Sequence, residues 1–118
     1  MSLAATIATA AVGLLHLAFL VLEMFLWDSP IGRKTFRLTP EFAAATRVLA
    51  ANQGLYNGFL AAGLFWGVWL GNAGQAVKLF FLGCVVVAGV FGAMTSSAKI
   101  LLVQGLPGAA ALALVLAS

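Results

Sequence analysis

The chain has 118 residues, 64% of them hydrophobic and 8% charged, about a third of the charge of a soluble domain. That balance excludes an ordinary water-soluble fold, and a formal charge of +3, dispersed along the chain, excludes a basic nucleic-acid surface. Cys84 stands alone, which excludes an intrachain disulfide. No metal-ligand cluster, phosphate-binding glycine loop or nucleophile elbow is present, so neither metal nor cofactor is expected. The composition points to an all-α integral membrane protein forming a single domain over residues 1–118.

The first apolar run covers residues 3–27. It lacks a basic leader and exceeds a signal-peptide core, so it reads as a retained transmembrane helix. Its interior holds two ionisable residues, His16 and Glu23, and Trp27 marks an interface at its end. Residues 28–39 form the main polar loop. Ser29-Pro30 and Thr39-Pro40 each pair a capping hydroxyl with a proline suited to the first helical position. The first opens a short interfacial turn and the second opens helix 2, expected over 40–70. At 1.5 Å per residue this helix is roughly 46 Å long, against about 30 Å of hydrocarbon. Its first turns, with Glu41 and Arg47, should therefore project beyond the apolar layer, while Trp66 and Trp69 anchor the far end. Asn72-Ala-Gly74 reads as a tight turn and 75–95 as helix 3. After Met94-Thr-Ser-Ser97, helix 4 covers 99–117, interrupted by Gly105-Leu-Pro107-Gly108.

The pattern thus predicts a four-transmembrane-helix bundle. Arg33, Lys34, Arg37, Arg47 and Lys99 fall on one side and only Lys78 on the other. The positive-inside rule places loop 28–39 in the cytoplasm and both termini on the non-cytoplasmic side.

Depth in antiparallel helices gathers the polar residues. If Trp27, Arg47, Thr95 and Lys99 share one level, then Glu23, Asn52, Gln53 and Gln104 lie a few residues deeper. His16 lies deeper still, level with Asn57. Tyr56 belongs to the same stretch. An ionisable group inside lipid is a functional candidate. The candidate ligand-binding or coupling set is therefore His16, Glu23, Asn52, Gln53, Tyr56, Asn57 and Gln104. The competing reading is structural: amides also join helices by hydrogen bonds worth roughly 0.6–2 kcal/mol. Pro107 denies a hydrogen bond to the carbonyl of Val103 and should kink helix 4 beside Gln104. Gly54 and Gly58 permit close approach near the polar cluster. Gly63, Gly67 and Gly71 form a second ladder, a candidate homodimer face.

Several segments carry a family resemblance: Leu22-Glu-Met-Phe-Leu-Trp27, Leu38-Thr-Pro-Glu-Phe42, Leu49-Ala-Ala-Asn-Gln-Gly-Leu-Tyr-Asn-Gly58 and Phe80-Phe-Leu-Gly-Cys84. They resemble a small bacterial membrane family, the domain of unknown function 1304. The resemblance implies a four-helix protein of the bacterial inner membrane and brings no catalytic residues with it. From the residues themselves, three functions compete. The first is a small-solute or proton/cation-coupled transporter with an intramembrane polar pocket, taking a small molecule or ion as ligand. The second is an accessory or structural membrane subunit. The third is an intramembrane enzyme acting on a lipophilic substrate with His16 and Glu23 as acid and base. Apart from such ligands, the expected partner is the lipid bilayer, not nucleic acid.

Overall fold

The computed structural model describes residues 2–118, and every regular element in them is helical. Five α-helices follow in order: α1 (Leu3–Met24), α2 (Pro30–Phe36), α3 (Pro40–Leu70), α4 (Gln75–Thr95) and α5 (Leu106–Leu116). Two helical stretches are long and apolar enough to cross a membrane, Leu3–Met24 and Pro40–Thr95. The final apolar helix, Leu101–Leu116, is shorter. The expectation of four spanning helices therefore exceeds what helix length and hydropathy establish.

The boundaries depart from the sequence reading at three places. First, α1 ends at Met24 rather than at position 27. The backbone N–H and the hydroxyl of Ser29 both donate to the carbonyl of Leu26, so a turn replaces the last helical residues. Second, the tight turn expected at Asn72–Gly74 starts one residue earlier, as a single 3-10 turn, Gly71–Gly74, that joins α3 to α4. Gly71 enters it at φ +63°, a conformation that costs little only without a Cβ. Third, the interruption in the last helix comes earlier than Gly105–Gly108. Residues Leu101–Gly105 form a π turn in which the N–H of Leu106 bonds the carbonyl of Leu101. Pro107 then lies in the first turn of α5. Pro107 has no N–H for the carbonyl one turn before it, and the wider turn absorbs that mismatch on its N-terminal side.

The chain divides into two compact units. One combines the chain before Leu15 with Leu60–Ser118. Its core is built from Val12, Leu64, Leu82, Val85, Ala111 and Val115. Within it, α3 and α4 fold back on one another: a Cβ on Gly63 would strike the ring of Phe81, and one on Gly67 would meet Lys78 Cγ at 2.6 Å. Gly63 and Gly67 are thus covered by α4 side chains of the same chain. Gly89 of α4 and Gly105 of the π turn meet backbone to backbone, where an added Cβ on Gly89 would lie 2.5 Å from the Cα of Gly105. Gln75 Nε2 donates to the carbonyl of Val115 at 2.8 Å, tying the start of α4 to the end of α5. Lys78 is fully buried and donates from Nζ to the carbonyl of Gly71 at 2.7 Å. That carbonyl lies just past the end of α3, where acceptors lack helical donors.

The second unit is Leu15–Phe59: the end of α1, all of α2 and the first part of α3. Ser29 caps α2 by accepting from the N–H of Gly32. Gly32 lies so close to the carbonyls of Leu26 and Trp27 that no side chain fits there. Arg37 ends α2 in a left-handed conformation, φ 56°. Thr39 opens α3 by accepting from the N–H of Phe42 at 3.1 Å.

Candidate functional site

Within the second unit, α1 and α3 approach each other at glycines. A Cβ on Gly54 would lie 2.6 Å from Met24 Cγ, 3.1 Å from Glu23 Cβ and 3.2 Å from the carbonyl oxygen of Leu20. One on Gly58 would lie 2.7 Å from Leu20 Cδ1. The spacing of Gly54 and Gly58, one helical turn, puts both on the same face of α3. Asn57 shares that side of the helix.

The consequence is a carboxyl–amide pair. Asn57 Nδ2 donates to Glu23 Oε1 at 2.5 Å. Both residues are half-buried, so the pair is partly open. The amide offers a second N–H and a carbonyl, and the carboxyl has a second oxygen. The pair can therefore fix one carboxyl oxygen while leaving groups that bind a proton, a cation or a polar ligand.

This pairing differs from the register read from the sequence, which set Glu23 level with Asn52 and Gln53, and Asn57 level with His16. The packed residues instead put Glu23 and Met24 beside Gly54. Trp27 Nε1 donates to Thr46 Oγ1 at 3.0 Å, next to Arg47. The difference lies between Met24 and Trp27, where the chain is not helical. Non-helical chain covers up to about 3.3 Å per residue against 1.5 Å in a helix. Phe25–Trp27 thus carries Trp27 further along α3 than a helix would, and α1 is shifted by about one turn relative to α3.

The other candidates separate. Asn52 and Gln53 are exposed, as is Tyr56, whose ring lies 6.2 Å from that of Phe59. None of these three side chains is beside Glu23 in the way that Asn57 is. His16 is fully buried, with its ring edge-on to Phe19 at a centroid distance of 5.4 Å. Gln104 belongs to the other unit and is half-buried in the π turn.

Two features of the site lay outside the sequence reading. Thr46 holds the indole of Trp27 while donating its own hydroxyl to the carbonyl of Phe42 at 2.7 Å. Its position beside Arg47, at the level assigned to Trp27, was the available signal. Phe36 of α2 lies 4.9 Å from the Trp27 ring, and Arg33 bonds the Asp28 carboxylate at 3.2 Å. Together they fasten α2 to the turn that follows α1. Among the described residues no buried side-chain nitrogen or oxygen lacks a partner, and no cluster of three His, Cys, Asp or Glu side chains could hold a metal ion.

The chain is similar to the uncharacterized protein YpaA of Lactococcus lactis subsp. lactis, with 29% identity over 98% of this chain and 97% of that protein. No solved structure matches it. The family of proteins of unknown function DUF1304 matches residues 10–116. That span holds Glu23, Asn57, Trp27, Thr46 and the glycines that join α1 to α3, and the chain belongs to this family.

Proposed function

We propose that this is a multi-pass protein of the bacterial inner membrane and that Glu23 is the exchanging group of a small-solute transporter coupled to protons or cations. Four crossings follow if the Pro40–Thr95 stretch counts twice. The contacts of Gly63 with Phe81 and Gly67 with Lys78 support that count, because they require the chain to reverse between α3 and α4. The last crossing is the helix that runs from Lys99 through α5. Arg33, Lys34 and Arg37 then face the cytoplasm, and the outer ends of the first and last helices face away from it.

The observation that carries the transport reading is the Glu23–Asn57 pair. A carboxyl in an apolar helix is costly unless it is paired or neutral. Here one amide hydrogen bond orients it and part of its surface is left open. Such a group can release a proton when a cation or a protonated solute arrives and take one up when it leaves. The test is flux in proteoliposomes under an imposed pH gradient, with a panel of organic cations, alkali cations and small neutral solutes. Wild-type protein should move at least one of them, and Glu23→Gln should lose coupled movement while melting at an unchanged temperature. Wild-type flux no greater than that of empty liposomes, or flux untouched by Glu23→Gln, would sink the proposal.

A second reading, an accessory subunit, draws on the same contacts. Gly54 brings α1 and α3 into van der Waals contact around Glu23, and a carboxyl so placed also serves as an interhelical hydrogen-bond acceptor. On that reading Glu23→Gln preserves every property of the protein, because glutamine keeps the acceptor.

A further inference from the structure

We propose that the N-terminal half of α3 is the interface through which two copies of this chain associate side by side. The proposal rests on the membrane placement above and is independent of the role given to Glu23.

Asn57, Gly54 and Gly58 occupy the face of α3 turned to α1. The opposite face carries Ala45, Leu49, Asn52, Tyr56 and Phe59, and all five are exposed. Leu49 retains 61% of its surface, Tyr56 53% and Phe59 57%. Their spacing alternates four and three residues, the seam of two helices packed knobs-into-holes at a shallow angle. From Ala45 to Phe59 the seam is about 21 Å long, with Ala45 at the interface beside Arg47 and the rest in the apolar layer.

An apolar seam alone would be satisfied by lipid. Asn52, with Gln53 beside it, would not. Neither side chain hydrogen-bonds another described residue, and hydrocarbon offers no partner. A lipid headgroup lies nearer the level of Arg47, at the helix end. The chemistry that satisfies an amide is another amide, because each supplies both donors and an acceptor. The charge bias turns every copy the same way in the membrane. A twofold axis along the membrane normal then sets Asn52 opposite Asn52 at equal depth, each residue meeting its own counterpart. A single polar residue in such a seam also fixes register and the number of helices. The glycine ladder read from the sequence as a dimer face is a different surface: Gly63 and Gly67 already receive Phe81 and Lys78.

The experiment is disulfide cross-linking in native membranes after a carbonate wash. Full-length chains carry Cys84→Ser with either Ala45→Cys or Phe59→Cys, which leave both amides in place. Val87→Cys, exposed on α4, is the control. Oxidation should yield covalent dimers at positions 45 and 59 and none above background at 87. Adding Asn52→Leu with Gln53→Leu should weaken dimerisation about fivefold to tenfold, the share of two interhelical amide hydrogen bonds. Native mass spectrometry of the wild-type chain in nanodiscs supplies the same test without new cysteines: a dimer whose share falls in the double leucine variant. A monomeric wild type, equal cross-linking at all three positions, or dimers indifferent to the leucines would overturn the proposal. Chain released by the carbonate wash would overturn it together with the membrane reading.

Discussion

The two ends of α3 use the same residue types differently. In its C-terminal part Gly63 and Gly67 receive Phe81 and Lys78 of α4, and the nearby buried polar group, Lys78 Nζ, is spent on a backbone carbonyl at the turn. In its N-terminal part Gly54 and Gly58 receive α1, beside four polar side chains within two helical turns. One of them, Asn57, is paired with a carboxyl, while Asn52, Gln53 and Tyr56 remain exposed. The first region is closed packing that holds a hairpin. The second has unused hydrogen-bonding capacity, which is where binding or association can act. Glycine spacing is therefore uninformative by itself; what meets the glycine, and which polar groups flank it, separates a scaffold from a site.

Four substitutions sharpen that contrast, and unfolding in mixed micelles reads them all. Gly89→Val should have the largest effect. It forces α4 and the π turn apart where backbone meets backbone, and neither can yield as a side chain does, so a loss of about 3 kcal/mol is expected. A loss near zero would show that this region is not closely packed. Lys78→Met should cost about 1.5 kcal/mol, because it keeps the stem that lies on Gly67 and removes the donor to the Gly71 carbonyl. Asn57→Leu should cost about 1 kcal/mol, and the cost should shrink in a Glu23→Leu background, which removes the acceptor, if the two side chains act as a pair. Additive costs would separate them. Asn52→Leu should leave the unfolding of the dissociated chain within about 0.5 kcal/mol of wild type. A larger loss would place Asn52 inside the fold.

The same contrast explains what the sequence made legible. The starts of α2 and α3 are local chemistry: Ser29 and Thr39 each cap a helix whose first residue is proline, and such signals need no tertiary information. Glu23 and Asn57 were visible as polar residues in apolar runs. Their partnership was not, because it depends on how far the non-helical residues Phe25–Trp27 carry the chain, a distance that residue counting cannot supply. The outward direction of Asn52, Gln53 and Tyr56 was hidden for another reason. In water a polar residue reveals the exposed face of a helix, whereas in an apolar chain the expectation is that it faces inward. The break before Pro107 is legible as a break, but its form, a π turn at Leu101–Gly105, is not, because a proline leaves open how the preceding turn widens.

The most direct measurement of the proposed role of Glu23 is infrared difference spectroscopy of the protein in lipid nanodiscs across a pH titration. A carboxyl that exchanges protons should give one carbonyl band that appears and disappears reversibly, shifts on deuterium exchange, is absent in Glu23→Gln and moves in Asn57→Leu. A Glu23 carboxyl that never changes protonation over the range in which the protein stays folded would contradict a coupling role and leave it as interhelical structure.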